Sequence, residues 1–270
     1  MSKWMHRMHV GITMLILILV TLPLVPLFLG AFSLRMPWPQ LIPDSWSLRA
    51  WTYMFSSSSG TGEAIITSIG IAMIVTLINL ILAIPAADAL SRYQFKGKRW
   101  IEAVLYAPII IPAFVSVMGM HLTFIRLGLT ESVFGVVLAH LSPSLPYMIR
   151  ALMISFGTLG FEWEEQGRML GAGRFQRFRW IVLPHILPGI IAGSGLSMLV
   201  SLSQYLITFL VGGGQVVTIP ILLFPFASGG DPTIAAAYTL VFAGLAAGAL
   251  WGLDMILNAY YRKRSRAKSI

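Results

Sequence analysis

The sequence of 270 residues has no cysteine and very few charged side chains. Without cysteine there is no disulfide framework, no thiolate metal site and no cysteine nucleophile. Charged residues make up 11% of the chain, against roughly 25% in soluble domains. The net charge of +9 does not indicate nucleic-acid binding, because most basic residues flank long apolar runs, where they favour an anionic membrane surface. The composition therefore predicts an integral membrane protein in contact with the lipid bilayer.

The motifs of common catalytic and nucleotide sites are missing as well. The run Gly171-Ala172-Gly173 lacks the third glycine of a dinucleotide fingerprint. Gly97-Lys98 is followed by arginine where a P-loop has serine or threonine. The five histidines are scattered, without a pair at i, i+4 and without an acidic partner, a pattern that disfavours a metal site. We therefore expect no catalytic site, no metal and no cofactor in this chain.

Six apolar runs predict six transmembrane helices, and hence an all-α polytopic membrane helix bundle. The predicted spans cover residues 10–32, 63–90, 101–123, 133–157, 181–208 and 234–258. Gly189 and Gly193, at the start of the fifth span, have the spacing that lets helices approach closely. We expect them to pack within the bundle, and a subunit interface is the alternative.

The basic residues predict the orientation, because arginine and lysine accumulate in cytoplasmic loops. An even number of spans places both termini on one side. That side holds fifteen basic residues, against three (Arg35, Arg49 and Arg126) on the other. The fifteen are Lys3, Arg7, Arg92, Lys96, Lys98, Arg99, Arg168, Arg174, Arg177, Arg179, Arg262, Lys263, Arg264, Arg266 and Lys268. Both termini are therefore predicted to be cytoplasmic.

Residues 162–184, here called the charged segment, differ from the apolar remainder. Three glutamates stand at its start, as is typical of a helix N-terminus with its positive dipole end, and arginines accumulate towards its far end. Each helical glycine costs about 1 kcal/mol relative to alanine, so Gly167, Gly171 and Gly173 favour a helix whose backbone another surface approaches closely. A flexible charged loop is the alternative, and the residues alone leave both interpretations open.

A resemblance favours the first interpretation. Glu165-Gln166-Gly167, followed by Gly171-Ala172 and then by Ile181-Val182-Leu183-Pro184, resembles the E-A-A-x-x-x-G-A…I-x-L-P signature of binding-protein-dependent ABC importer permeases. Gln166 and Gly167 replace the two alanines. Residues 89–99 (ALSRYQFKGKR) and 223–237 (LFPFASGGDPTIAAA) are similar to the polyamine-type branch of that family.

The resemblance implies a type I permease fold in a bacterial inner membrane. It implies that the charged segment is a coupling helix docked on a cytoplasmic ABC ATPase dimer, which binds ATP and Mg. It also implies a second permease subunit, usually a different one in this branch, and an extracytoplasmic solute-binding protein. The residues implied in ATPase coupling are Glu165, Gly167, Arg168, Gly171, Ala172, Arg174, Leu183 and Pro184.

The fifth predicted span contains candidates for a substrate path. At helical spacing Ser197, Ser201, Gln204 and Thr208 share one face, and Tyr205 lies beside them. Hydrogen bonding between helices is the alternative role for these side chains. Polyamine members of the branch carry acids near positions 203–204, whereas this chain has none. An unpaired polycation would lose hydration, so a polyamine is disfavoured, while thiamine-like, phosphonate-like, iron-chelate and other small polar solutes stay open.

Two other functions compete with this one: a secondary transporter or channel that is not driven by ATP, and a membrane enzyme or assembly factor. Ion-coupled transporters hold ionisable groups deep in the membrane, whereas Asp88, Glu102 and Asp254 lie near the ends of the predicted spans. Neither alternative explains the spacing within the charged segment.

Overall fold

The computed structural model describes residues 3–37 and 39–266, so Lys268 lies outside the described part. Within that part, extended pairing is confined to one isolated antiparallel bridge between Ser33 and Trp46. The helices are α1 (Lys3–Thr21), α2 (Leu24–Ala31), α3 (Arg49–Met54), α4 (Thr61–Arg92), α5 (Lys98–Ile110), α6 (Ala113–Leu127), α7 (Val133–Leu159), α8 (Glu162–Met169), α9 (Arg174–Arg177), α10 (Leu183–Leu202), α11 (Tyr205–Gly212), α12 (Ile219–Ala227) and α13 (Pro232–Arg266). A 3₁₀ turn covers Ser57–Ser59, and a π-helical turn covers Phe178–Val182.

Among the described residues, five helical stretches are long and apolar enough to cross a membrane. They are Met8–Ala31, Thr61–Arg92, Val133–Leu159, Arg174–Leu202 and Pro232–Tyr260. The pair α5 and α6 provides a sixth candidate if it is counted as one span. Helices satisfy their backbone polar groups internally, which is what a segment in hydrocarbon requires.

Residues 101–123, predicted as one span, do not form one continuous helix. The chain breaks between Ile110 and Ala113, and α5 and α6 meet at a bend of 105°. Ile111 is extended (φ −72°, ψ 133°) and stands directly before Pro112. A proline disfavours helical geometry in the residue before it and has no N–H of its own. The Ile-Pro pair therefore interrupts the helix.

One compact unit comprises residues up to Ala64 together with residues 221–244. Its core surrounds Tyr238 of α13, whose ring stacks on Phe226 of α12 with 5.8 Å between ring centroids. The Tyr238 hydroxyl also shares a hydrogen bond of 2.8 Å with Thr61 Oγ1, so its buried polar atom is satisfied. The other fully packed members are Ala31, Ala50, Met54, Ile234, Ala236 and Ala237.

The other unit comprises residues 65–220 and 245–270. In it, α4, α7 and α10 bury one apolar cluster that includes Ala87, Leu152 and Ile186. A second cluster joins α4, α6, α7 and α11. Two glycines of α10 lie against α7, as the sequence predicts. A Cβ on Gly189 would lie 2.9 Å from the Ala151 carbonyl oxygen, and one on Gly193 would lie 3.3 Å from Met148 Cα.

Replacing Gly189 with leucine should therefore destabilise the bundle, because the new side chain meets a backbone carbonyl that cannot move aside. Overpacking of this kind costs about 1–3 kcal/mol, and we expect a lower thermal midpoint for the detergent-purified protein. Gly119→Leu is the matched control, since a Cβ at Gly119 meets nothing within 4 Å. Equal midpoints for the two variants would contradict the packing of α10 on α7.

Candidate functional site

The charged segment begins as a regular helix. Three glutamates, Glu162, Glu164 and Glu165, occupy the first turn of α8, where the helix dipole favours negative charge. At the other end, the Ala172 N–H bonds to the Gly167 carbonyl and the Gly171 N–H to the Arg168 carbonyl, both at 3.0 Å. This pair of bonds is a Schellman motif, which requires a left-handed residue after the helix. Gly171 is that residue, with φ +84°.

The glycines of the segment therefore have different roles. Gly167 is buried, and a Cβ there would lie 2.8 Å from Ile181 Cδ1 and 3.4 Å from Arg177 Cγ. Gly167 thus lets α8 pack against the later part of its own segment. A Cβ on Gly171 would meet nothing within 4 Å. These glycines were predicted to allow another surface to approach, whereas the structure supplies reasons within the chain: packing at Gly167 and backbone conformation at Gly171.

The far half of the segment folds back and continues into α10. Arg177 Nη1 donates to the Ala172 carbonyl at 2.7 Å, which holds the turn closed. Leu183 N–H bonds to the Phe178 carbonyl five residues before it, so the chain makes a π-helical turn. Pro184 follows at the start of α10. Because proline has no N–H to donate to the carbonyl four residues earlier, the wider turn and the Leu-Pro pair belong together.

The surface of the charged segment combines exposed apolar and charged side chains. Met169 is 86% exposed and Leu170 is 88% exposed, although both are large and apolar. Three large aromatic side chains of the segment are also well exposed: Trp163, Phe175 and Trp180. Among the residues predicted for ATPase coupling, Glu165, Arg168, Gly171 and Arg174 are exposed, Ala172, Leu183 and Pro184 are half-buried, and Gly167 is buried. The described part of this chain leaves the Met169–Leu170 turn uncovered.

Arg92, at the end of α4, is a residue whose role the sequence analysis missed. Its side chain is only 5% exposed. Its Nη1 donates to Glu164 Oε1 of α8, and its Nε lies 3.3 Å from Asp88 Oδ1. The guanidinium carbon lies 5.1 Å from the ring centroid of Phe156 and 5.2 Å from that of Phe161. The i, i+4 spacing of Asp88 and Arg92 is visible in the sequence, but the contact with Glu164 is not.

A cavity of about 360 Å³ lies beside this contact. Four charged residues line it, the acids Asp88 and Glu164 and the bases Arg174 and Arg177, together with apolar residues that include Pro85 and Phe178. The cavity therefore has balanced charge. Among the described residues, no group of three His, Cys, Asp or Glu side chains could hold a metal ion.

A cluster of polar side chains is buried where α4, α7 and α10 meet. Asn79 Nδ2 donates to Ser144 Oγ at 2.7 Å and to Ser197 Oγ at 2.8 Å. The ring nitrogens of His140 lie 3.0 Å from Ser201 Oγ and 3.0 Å from Thr208 Oγ1. Polar groups buried in this way need such partners. Ser197, Ser201 and Thr208, three of the predicted path residues, are thus bonded to side chains of their own chain.

The expectation that Ser197, Ser201, Gln204 and Thr208 share one helical face is wrong. Helix α10 ends at Leu202, and Gln204 is extended before α11 begins. The hydroxyl of Ser203 and the amide of Gln204 both donate to the Val200 carbonyl, at 2.9 and 3.2 Å. Side-chain donors of this kind compete with the helix backbone. Gln204 and Tyr205 are half-buried, and a role of these residues in a substrate path stays a prediction.

The first unit has a separate polar cluster around Asp231. Arg49 Nη2 bonds to the Asp231 carboxylate and, at 2.9 Å, to Thr233 Oγ1. Burial by itself would raise the pKa of Asp231, but hydrogen bonds from Thr233 and Arg49 outweigh it and hold the pKa below its ordinary value. Asp231 also accepts from the Thr233 N–H at 3.0 Å, at the start of α13. A cavity of about 590 Å³, lined in part by Arg35, lies against this cluster.

Comparison with known proteins identifies the kind of molecule. Residues 79–259, more than half of the chain, match the family model described as "Binding-protein-dependent transport system inner membrane component". The chain is 30% identical to the sulfate transport system permease protein CysT of Salmonella typhimurium over 154 residues, which are 53% of this chain and 56% of that one. It is 28% identical to the molybdenum transport system permease protein ModB of Mycobacterium bovis over 252 residues, 88% of this chain and 89% of that one.

A further relative and a solved structure support the same family. The spermidine/putrescine transport system permease protein PotC of Haemophilus influenzae is 27% identical over 66% of this chain and 70% of its own. A chain in the crystal structure of a bacterial ABC transporter involved in the import of the acidic polysaccharide alginate superposes with a TM-score of 0.65 at 15% identity, with 98% of each chain covered. The chain therefore belongs to the family of binding-protein-dependent transport system inner membrane components, the ABC importer permeases, and has their all-α, type I permease-like fold.

Proposed function

We propose that this chain is the permease subunit of an ATP-driven importer for a small polar solute, and that the charged segment docks on a cytoplasmic ABC ATPase dimer. ATP and Mg belong to that ATPase. A second permease subunit completes the translocation path, and an extracytoplasmic binding protein delivers the solute. The multi-pass chain lies in a bacterial inner membrane with both termini in the cytoplasm. The family match supports the class of function.

One observation carries the docking proposal. Met169 and Leu170 project from a turn that the Schellman motif fixes, and the described chain covers neither side chain. Apolar side chains on a rigid turn, with charged neighbours around them, are typical of a protein interface core with a polar rim. Glu165, Arg168 and Arg174 supply that rim. A groove on the ATPase would receive the two apolar side chains and pair with the surrounding charges.

The solute class rests on the relatives and on the buried polar cluster. The relatives are described as permeases for sulfate, molybdenum, 2-aminoethylphosphonate and spermidine/putrescine. The cluster of Asn79, His140 and the serine and threonine hydroxyls contains no carboxylate among its bonded members. A polycation would lose its hydration without an acidic partner. We therefore favour a solute that is not a polyamine.

Crosslinking tests the docking proposal directly, because the chain has no native cysteine. In the complex purified from its native membrane, a short bifunctional reagent on Met169→Cys should capture a P-loop ATPase, identified by mass spectrometry. Ile42→Cys is the matched control, since Ile42 is equally apolar and 73% exposed but lies outside the segment. Capture of an ATPase from Ile42 and not from Met169 would contradict the proposal.

Substitutions at Gly171 distinguish two explanations for the glycine: the left-handed conformation of the turn and the close approach of a partner. A left-handed conformation costs a non-glycine residue roughly 1–2 kcal/mol, and asparagine tolerates it better than alanine or valine. We therefore expect the amount of ATPase that copurifies with the chain to fall in the order Gly, Asn, Ala, Val, with about a tenfold loss for valine. If close approach of the partner set the requirement, the smaller alanine would outperform asparagine. That order of retention would refute the turn-based explanation.

The same two cysteine variants also test the proposed orientation of the chain in the membrane. In right-side-out membrane vesicles, an impermeant maleimide should label Ile42→Cys at once, because the loop before α3 is proposed to lie outside. Met169→Cys should react only after the vesicles are permeabilised. Immediate labelling of Met169 would place the charged segment on the wrong side for a cytoplasmic ATPase.

A further inference from the structure

The contact between Arg92 and the charged segment links two parts of the chain that are far apart in sequence. Arg92 is the last residue of α4, whereas Glu164 lies in α8, 72 positions later. The charged segment is joined covalently to α7 and α10, but it has no such link to α4. The contacts of this region with the end of α4 include the Arg92–Glu164 bond, the position of Arg92 over Phe161, which directly precedes the segment, and the edge contact between Tyr93 and Phe161 at 5.4 Å. Val182 of the segment also belongs to the apolar cluster that contains Ala87 and Leu90 of α4.

The surroundings of Arg92 make this link stiff. The guanidinium is almost fully buried, and a charge in that position must keep its partners, because losing one leaves the other buried and uncompensated. Asp88 holds it from within α4, and Phe156 of α7 and Phe161 lie under the guanidinium. A displacement of α8 therefore moves Glu164. Because Arg92 is held by its surroundings, it keeps its bond to Glu164 and moves with it.

Helix α4 carries the displacement further. Asn79 lies thirteen residues before Arg92 on the same helix, which is about 20 Å at 1.5 Å per residue. Asn79 is fully buried and joins α4 to Ser144 of α7 and Ser197 of α10. Helix α4 is thus bonded to the charged segment at its end and to the buried polar cluster at its middle.

We propose that Arg92 is the positioning residue that transmits movement of the charged segment into α4, through its bond to Glu164 and its packing on Phe156 and Phe161. This inference rests on the proposed function, because it takes the ATPase as the source of the movement. Arg92 does not touch the ATPase or the solute in this account; it acts by fixing Glu164.

Two spin-label positions separate this inference from the proposed function. One label is placed at Trp163→Cys in the charged segment, where the native side chain is 60% exposed and lies outside the proposed docking contact, and the other at Ile81→Cys on α4, where the native side chain is 70% exposed. The complex is purified from its native membrane, and the spin-label spectra are compared without nucleotide and after trapping with ATP and vanadate. In the otherwise unchanged chain we expect the spectra of both labels to change. If the spectrum of the Trp163 label does not change there, the proposed function is wrong.

Arg92→Gln should leave the spectral change at Trp163 in place and weaken the response at Ile81. Changes along a coupling network alter equilibria by about two- to thirtyfold, and we expect a loss of that size in the nucleotide-driven shift at Ile81. Arg99→Gln is the matched control, because Arg99 is exposed and its substitution removes the same charge nearby. An Ile81 response that is equal in Arg92→Gln and Arg99→Gln would overturn the inference while leaving ATPase docking intact.

Glu164→Gln keeps the test decisive if Arg92→Gln folds poorly. This variant leaves the Arg92–Asp88 ion pair in place and removes only the negative charge of Glu164. We expect the same loss at Ile81, whereas Glu162→Gln, an exposed change in the same turn of α8, should leave the Ile81 response in place. Equal Ile81 responses in Glu164→Gln and Glu162→Gln would contradict transmission through the Arg92–Glu164 bond.

Discussion

The main constraint on this molecule is that a chain in hydrocarbon must satisfy its polar groups internally. The long helices meet that requirement for the backbone, and hydrogen bonds between helices meet it for part of the buried polar side chains. Asn79 bonds to two serines on two helices, and His140 bonds to hydroxyls of α10 and α11. The charged segment differs from the apolar spans, because its exposed apolar side chains stand on a rigid turn among charged residues.

The internal architecture of the charged segment explains how that turn is presented. Gly167 allows α8 to lie on the chain that follows it, and Gly171 closes the helix in a conformation that other residues resist. Arg177 and the π-helical turn then direct the chain into α10. Met169 and Leu170 are thereby held exposed on this turn. The glycine-rich pattern is consequently a means of building a fixed surface, which a flexible charged loop would not provide.

Much of this could be predicted from the sequence, and the exceptions have physical reasons. Apolar runs and acidic helix starts are local signals, so the helical membrane fold and the beginning of α8 follow from them. The break at Ile111-Pro112 also has a local signal, the residue before a proline, which a count of apolar residues overlooks. The break after Leu202 depends on two side chains that compete for the Val200 carbonyl. That competition has no equivalent in a pattern of hydrophobic residues.

Contacts across long sequence separations were the hardest to predict. In the sequence Arg92 looks like an ordinary loop charge, and only the fold brings it to Glu164 and close to two phenylalanine rings. In the same way, Ser197 and Ser201 suggest a polar path by their spacing, whereas the fold gives each a partner on another helix. Spacing along one helix reports a shared face, but it does not report what that face meets.

The most direct measurement of the central claim is a cryo-electron microscopy structure of the complex isolated from its native membrane. The account predicts that Met169 and Leu170 are buried in a groove of an ATPase subunit, with Glu165, Arg168 and Arg174 at the edge of that contact. A complex in which an ATPase is bound while the Met169–Leu170 turn remains open to solvent would contradict it.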